Sequence, residues 1–330
     1  MEPGAGTHST TRGKTWIALG ALALALGAGG YAFRLAWTSG GATPEHATGA
    51  PTKGSAAPAT ASAIMQSAQS YMRQGEVEKA ETILAEASRQ YATDQALHVA
   101  YADVLMSRGK VAEAYAQYEQ ALAIGPREGT LEFTAGTAAN MAGMSERAVE
   151  HYSAAQTADK TNPKYPLYLG QVQLKLGQAD EAKASILRAA LLDPEQAIAW
   201  GTLADVALRE NNLDLALQHI AKARRLEPGV ATWRLIECRA LTRQGQPEKG
   251  VQLLITLGDS EKFSGPVLKQ IGECYGMLKK PGDAAAVYTK ASDAHPEDGT
   301  LAREAADWAK RAGDAKAEAR LDERARRLGK

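Results

Sequence analysis

Residues 197–230 read AIAWGTLADVALRENNLDLALQHIAKARRLEPGV, two apolar patterns of helical period on either side of a turn. Asn211 stands between the two halves, and asparagine tolerates the left-handed backbone that a turn between helices needs. In the second half, the small residues Ala216 and Ala223 lie two helical turns apart on one face. Pro228 closes the stretch, because proline cannot continue a helical hydrogen-bond ladder. The stretch therefore predicts a hairpin of two antiparallel helices.

The same pattern recurs every 34 residues along most of the chain. Small residues return at one position of each first half, such as Ala204, and at two positions of the second half, each in seven of the eight units. They let the paired helices approach closely, while large residues such as Tyr118 and Ile220 fill the space between hairpins. The turn falls on Gly75, Gly109, Gly143, Gly177, Asn211, Gly245, Lys279 and Gly313. The spacing predicts stacked hairpins over residues 61–330, in eight units that start at residues 61, 95, 129, 163, 197, 231, 265 and 299.

This repeat resembles the tetratricopeptide repeat family, and the resemblance covers residues 61–330. It is strongest in residues 197–230, where these residues stand at signature positions: Trp200, Leu203, Ala204, Ala216, Ala223 and Pro228. The resemblance implies an all-α fold, a right-handed α-solenoid of about eight 34-residue helix–turn–helix repeats. In this family the first helix of each unit lines a concave groove that holds extended peptides or partner helices.

Two units depart from the pattern. In residues 231–264, Gly250 and Leu257 replace the usual alanines, and we expect the second helix, VQLLITLGDS, to be short or bent. In the last unit, Glu318 and Asp322 occupy positions that are apolar elsewhere. A slip of one residue would instead turn three apolar residues inward: Ala317, Leu321 and Leu328. The charged remainder of that helix suits a capping unit, which needs a polar outer face.

By the same resemblance, positions 2, 5, 9, 12 and 13 of each unit point into the groove. The early units place mainly apolar and amide side chains there, and the later units mainly basic ones. Ten basic residues against four acidic ones would steer an acidic partner to this groove. The alternative that some Met and Leu residues are simply core stays open. The predicted partner-binding residues are Met65, Met72, Val99, Met106, Phe133, Asn140, Leu167, Gln171, Lys175, Arg209, Arg239 and Arg243.

Residues 1–60 have a different composition. A short N-terminal tail, residues 1–14, precedes an uncharged run of 19 residues, Thr15 to Phe33, which as a helix would be about 28 Å long. Together with the flanking aromatic residues, residues 15–37 predict a single transmembrane anchor. A cleaved signal peptide is the alternative, but the apolar run is longer than such peptides usually carry. Residues 38–60, rich in Ala, Gly, Pro and Thr, predict a flexible linker.

The expected topology places the tail in the cytoplasm, because Arg12 and Lys14 precede the apolar run. The protein would then be a single-pass protein of the inner, cytoplasmic membrane, with the repeats in the periplasm or outside the cell. Its 38 basic residues balance its 38 acidic ones, which argues against a nucleic-acid partner.

Catalytic motifs are absent from the sequence. It contains no HExxH, CxxC or GxSxG pattern and no phosphate-binding glycine loop, so we expect no enzyme activity, cofactor, metal or small-molecule substrate. His151 and His219 share a repeat position but lie two units apart, too far to share a metal. Cys238 and Cys274 are predicted to be buried thiols rather than a disulfide, and the acidic residues to be solvated surface.

These features favour a membrane-anchored scaffold or assembly factor that binds a protein or peptide in the groove. The carboxylate clamp of the family, which grips the acidic C-terminus of a chaperone, is not reproduced, because Met65 and Val99 stand where it needs polar groups. The alternative is a holdase-like chaperone for translocated polypeptides, since surfaces rich in methionine adapt to varied partners.

Overall fold

A computed structural model describes residues 60–329 of the chain. The predicted tail, the anchor at residues 15–37 and nearly all of the linker lie outside these residues. No helix between residues 60 and 329 combines the length and the hydropathy that crossing a membrane requires.

The described residues form seventeen α-helices and no strand. The helices of the first four units are α1 (Ala61–Arg73), α2 (Val77–Gln90), α3 (Gln95–Ser107), α4 (Val111–Ile124), α5 (Gly129–Met141), α6 (Ser145–Ala158), α7 (Lys164–Lys175) and α8 (Ala179–Leu192). Those of the last four are α9 (Ala197–Arg209), α10 (Leu213–Leu226), α11 (Ala231–Arg243), α12 (Pro247–Ile255), α13 (Asp259–Lys262), α14 (Gly265–Met277), α15 (Pro281–Ala294), α16 (Gly299–Ala312) and α17 (Ala315–Arg327). Each unit thus supplies a first and a second helix, as the spacing predicts.

The turn between the two helices has a left-handed residue in all eight units. The six glycines have φ between 74° and 83°, where a residue without Cβ meets no steric penalty. Asn211 and Lys279 take the same conformation, with φ of 59° and 54°. Lys279 is the exception chemically, because a long side chain is disfavoured at positive φ. The backbone of the repeat therefore overrides the preference of the residue at that turn.

Small residues lie where the paired helices meet. A Cβ added to Gly136 would lie 2.9 Å from ring carbons of Tyr152, and one added to Gly170 would lie 2.4 Å from Cγ1 of Ile186. Ala148 is fully buried at an equivalent contact. Contacts this close leave no space for a larger side chain, which explains the recurrence of Gly and Ala.

The chain divides into two compact units, whose described parts are residues 60–160 with Gln171–Gln178, and Thr161–Gly170 with residues 179–329. In the first, Leu84 and Leu97 lie in the core between α1, α2 and α3, and Leu105 and Tyr118 in the next core cluster. In the second, one cluster joins α11, α12 and α14, and another joins α14 through α17. Within each compact unit, helices such as α3 and α4 or α15 and α16 pack on their neighbours in sequence, as in repeat proteins.

The two irregular units are explained by single residues. Helix α12 has only nine residues, which confirms the expected short helix, and it ends where the buried Leu257 turns inward instead of an alanine. In the last unit, Leu321 is fully buried and Ala317 packs against the same cluster, as the predicted slip requires. The prediction is wrong for Leu328, which is exposed because α17 ends at Arg327 and does not carry it inward.

Candidate functional site

The first helices of the first compact unit carry the predicted groove residues. Met65 and Met72 are partly buried against the core between α1, α2 and α3. Val99 and Met106 pack in the same way on the cluster around Leu105. Each of these four side chains packs on the core and is also partly exposed. Their positions are therefore compatible both with core packing and with contact to a partner.

Tyrosines from the second helices reach the first helices and hold their polar groups. Tyr118 on α4 donates a hydrogen bond of 2.6 Å to Oδ1 of Asp103 on α3. In the following unit, Tyr152 on α6 donates to Oγ1 of Thr137 on α5 at 3.2 Å. Asp103 and Thr137 share position 9 of their units, so the tyrosines fix a row of acceptors at that position. Phe133 lies beside this row, with its ring centroid 5.4 Å from that of Tyr152.

Asp103 is the charged group of this row. Burial raises the pKa of its carboxyl group, and the hydrogen bond from Tyr118 opposes that rise. Burial and the neighbouring carboxylate in turn raise the pKa of Tyr118, which stays a hydrogen-bond donor. No Lys, Arg or His between residues 60 and 329 forms an ion pair with Asp103. A partly desolvated acceptor without a cation is suited to a donor on a ligand.

Positions 12 and 13 connect one first helix to the next. Nζ of Lys175 donates to Oδ1 of Asn140 at 3.4 Å, and Met141 beside it is 60% exposed. Gln171, one turn before Lys175, is partly exposed. An exposed methionine next to an amide and an ammonium group gives this part of the surface both apolar and polar contacts for a partner.

The second compact unit uses several predicted groove residues internally. Leu167 is 3% exposed and offers a partner almost no surface. Arg209 pairs through Nε with Oδ2 of Asp205 at 2.9 Å, and Arg243 donates to the backbone oxygen of Leu208 at 2.6 Å. Arg239 is partly buried and forms no ion pair within residues 60–329. The basic excess of the sequence therefore overstates the free positive charge of this face.

A buried ionic cluster was not anticipated. Glu132 is 1% exposed, although the acidic residues were expected to be solvated, and that expectation is wrong here. Its carboxylate lies 2.6 Å from Nε of Arg127 and 2.8 Å from Nδ1 of His151. Nε2 of His151 lies 3.2 Å from Oε1 of Glu119 and 3.3 Å from the hydroxyl of Tyr115. Burial is tolerated because each charged group has a partner.

The sequence feature that indicates this cluster is a pair of polar or aromatic residues at positions 4 and 23 of the same repeat unit. Glu132 and His151 occupy these positions in their unit, and His98 and Gln117 occupy them in the preceding one, 2.8 Å apart. In the unit that starts at residue 197, Trp200 and His219 occupy the same two positions, with ring centroids 5.6 Å apart. A comparison of these two positions along the sequence would have paired the residues.

The comparison with family models gives the decisive match. The model described as tetratricopeptide repeat matches residues 65–129, 102–163 and 167–253. The chain belongs to the tetratricopeptide repeat family. A comparison with curated proteins finds no match.

Solved structures similar to this tetratricopeptide repeat protein share its fold at low sequence identity. A tetratricopeptide repeat protein from Parabacteroides merdae has a TM-score of 0.54 and 15% identity over 70% of this chain and 91% of its own. PilF of Pseudomonas aeruginosa has a TM-score of 0.52 and 20% identity, over 63% of this chain and 95% of its own. PilW, described as a type IV pilus biogenesis factor, has a TM-score of 0.51 and 18% identity, over 62% and 96%.

Tetratricopeptide repeat proteins are generally non-enzymatic scaffolds. No group of three or more His, Cys, Asp or Glu side chains suited to a metal ion occurs between residues 60 and 329. The His151 imidazole lies between the carboxylates of Glu119 and Glu132 and the hydroxyl of Tyr115. Cys238 and Cys274 are free and buried, as the sequence predicts.

Proposed function

We propose that this protein is a non-enzymatic interaction scaffold or assembly factor that binds a protein or peptide partner on its first helices. We further propose that residues 15–37 tether it to the inner membrane, with the repeats on the outer side. The observation that carries the binding proposal is the surface of the first compact unit formed by Asp103, Asn140, Met141 and Lys175. Met141 is exposed and follows Asn140, which accepts a hydrogen bond from Lys175, while Tyr118 holds Asp103 on α3.

The family supports this proposal, because tetratricopeptide repeats present their first helices to partners. PilW is named as a pilus biogenesis factor, and a role in assembling an envelope complex is of the same class. That likeness rests on the fold alone. It supports the class of function and leaves the partner to be identified by experiment.

The test compares two apolar residues that are similarly exposed, one on a first helix and one on a second helix. Met141 lies on a first helix and is 60% exposed, while Leu191 lies on the second helix α8 and is 68% exposed. Full-length protein carrying Met141→Glu or Leu191→Glu is crosslinked in its native membrane, purified and analysed by mass spectrometry. We expect the partner to be lost with Met141→Glu and retained with Leu191→Glu. Loss with Leu191→Glu alone, or retention with both, would place the partner elsewhere.

The acidic character of the partner is tested separately in the second compact unit. Arg239→Glu reverses a charge that has no internal ion pair, whereas Arg209 and Arg243 already serve Asp205 and Leu208. Arg225→Glu, on the exposed face of α10, is the matched control. An acidic partner would be recovered in lower yield with Arg239→Glu than with Arg225→Glu. Equal recovery would exclude an acidic segment as the determinant.

A holdase-like chaperone is the second candidate, and the partly exposed methionines Met65, Met72 and Met106 favour it. In the same crosslinking experiment a chaperone would capture many unrelated polypeptides. One dominant membrane-complex component would favour the scaffold. The two candidates therefore differ in the number of proteins recovered.

A further inference from the structure

Two cysteines from consecutive units face each other in the second compact unit. Cys238 lies on α11 and Cys274 on α14, which are the first helices of their units. Both thiols are fully buried, and their sulfur atoms lie 3.6 Å apart. That separation is close to van der Waals contact, and a disulfide would need the sulfurs to approach to about 2.05 Å.

The surroundings of the pair favour ionisation of one sulfur. The hydroxyl of Thr242 lies 3.2 Å from Sγ of Cys274 and donates to the backbone oxygen of Cys238 at 2.7 Å. Nε2 of Gln270 lies 3.9 Å from the same sulfur. The hydrogen bond from Cys238 is the main cause that lowers the pKa of Cys274 to about 7, and burial acts in the opposite direction. The thiolate is the reactive form of cysteine, so Cys274 is the sulfur of the folded pair that ionises more readily.

We propose that Cys238 and Cys274 form an intramolecular disulfide that joins α11 to α14. This assignment stands on the geometry of the pair and does not depend on the proposed partner-binding function. Its oxidant is a disulfide on a small molecule or another protein, which reacts by thiol–disulfide exchange. Because both sulfurs are buried, the exchange takes place while the chain folds or when α11 and α14 separate locally.

The reaction balances in two steps. The thiolate of Cys274 attacks one sulfur of the oxidant's disulfide, which breaks that S–S bond, forms a mixed disulfide and releases one thiolate. Cys238 then loses its proton and attacks Sγ of Cys274, which forms the Cys238–Cys274 bond and expels the second thiolate of the oxidant. Two electrons pass from the protein thiols to the oxidant, and the two thiol protons are left for the two released thiolates.

The position of the pair gives the bridge a structural consequence. The cysteines are 36 positions apart and lie on the helices before and after α12, the second helix that has only nine residues. A covalent link across this irregular unit reduces the freedom of the unfolded chain and opposes separation of α11 from α14. We therefore expect the oxidised protein to unfold several degrees higher than the reduced protein.

The experiment refolds the full-length chain, in detergent, in a buffer of oxidised and reduced glutathione. The expected result is a mass lower by two hydrogens, a peptide linked between residues 238 and 274, and an unfolding midpoint that falls on reduction. Cys238→Ala is the matched control, because alanine occupies this repeat position at Ala68, Ala102, Ala204 and Ala306. This variant and Cys274→Ala must lose both the linked peptide and the effect of the reductant on the midpoint.

The proposal would be overturned by two free thiols in the refolded wild-type protein, by glutathione adducts without an internal link, or by bridges between chains only. If the reductant shifted the unfolding midpoint of the two alanine variants as much as that of the wild-type protein, the stabilising role of the bridge would be overturned. Folding of each variant is confirmed by circular dichroism, so loss of structure cannot imitate either result.

Discussion

At the scale of single residues, the tyrosine–acceptor contacts link stability to the binding surface. Asp103 is held by Tyr118 in a partly buried place where its charge is disfavoured. A residue that is costly for stability and has no cation beside it is the kind of feature that binding sites retain. Thr137 in the next unit makes the equivalent contact with Tyr152 without a charge, which shows that the fold itself does not need the carboxylate.

Asp103→Asn should raise the unfolding midpoint at neutral pH. Because the pKa of Asp103 is raised in the folded protein, the protonated carboxyl contributes stability that is fully present below the unfolded pKa, and this contribution is lost as the pH rises through the folded pKa. Asparagine keeps an acceptor for Tyr118 and carries no charge. The gain should be largest at pH 7 and disappear near pH 4. Thermal unfolding measured at both pH values checks this, and an equal difference at both would contradict it.

The contacts of single charged residues differ in how far the sequence could have predicted them. The neighbours of Glu132 on its own helix do not distinguish it from a solvated glutamate, whereas His151 at position 23 of the same unit identifies its partner. The pairing of Arg209 with Asp205, four residues earlier on one helix, could have been predicted, and with it the loss of a free charge. The bond from Arg243 to the backbone of Leu208 depends on the stacking of two units and could not.

At the scale of the helices, the hairpins follow from local sterics and were predictable for that reason. The turn residues and the small residues are set by backbone conformation and by the distance between paired helices, which repeat with the 34-residue period. Irregular places depend on individual side-chain volumes. Helix α12 ends at Ile255, and the buried Leu257 follows at a position where other units have an alanine, so the period gives the location of the helix but not its end.

Lys279→Gly should stabilise the turn between α14 and α15. The lysine holds φ of 54°, and removing its Cβ relieves a left-handed strain of roughly 1–2 kcal/mol, offset in part by the greater freedom of glycine in the unfolded chain. Asn211→Gly is the control, and its gain should be smaller because asparagine tolerates this conformation. Urea unfolding at constant temperature measures both variants. A lower free energy of unfolding for Lys279→Gly would mean that contacts of the lysine side chain stabilise the fold by more than the left-handed backbone strain destabilises it.

At the scale of the whole molecule, stability is built from contacts between successive helices. The core clusters of the two compact units each join helices that follow one another in the chain. Such a protein transmits the effect of a change to its immediate neighbours and weakly beyond them. The last unit has a particular role, because Leu301, Ala305 and Leu321 cover Tyr288 and Ala291.

Deletion of residues 299–330 should therefore have a local effect. We expect faster amide hydrogen exchange in α14 and α15 and increased binding of a hydrophobic dye, because Tyr288 and Ala291 lose their cover. Exchange in α1 to α6 should remain unchanged. Leu328→Ser, at the exposed end of the same unit, is the control and should alter neither measurement. A uniform increase of exchange along the chain would contradict stability built from neighbouring contacts.

The buried contact between Glu132 and His151 also bears on misfolding. Repeats of equal length can pair in the wrong order while a chain folds, since each first helix meets similar small residues on every second helix. A second helix from another unit would bring Gln117, Leu253 or Val287 to the place of His151. Glu132 would then be buried without its imidazole partner and would keep only its ion pair with Arg127, which makes the wrong pairing less stable than the correct one. The contact therefore disfavours pairing of α5 with second helices that lack a histidine at this repeat position, whereas α10, which carries His219 there, could still supply an imidazole.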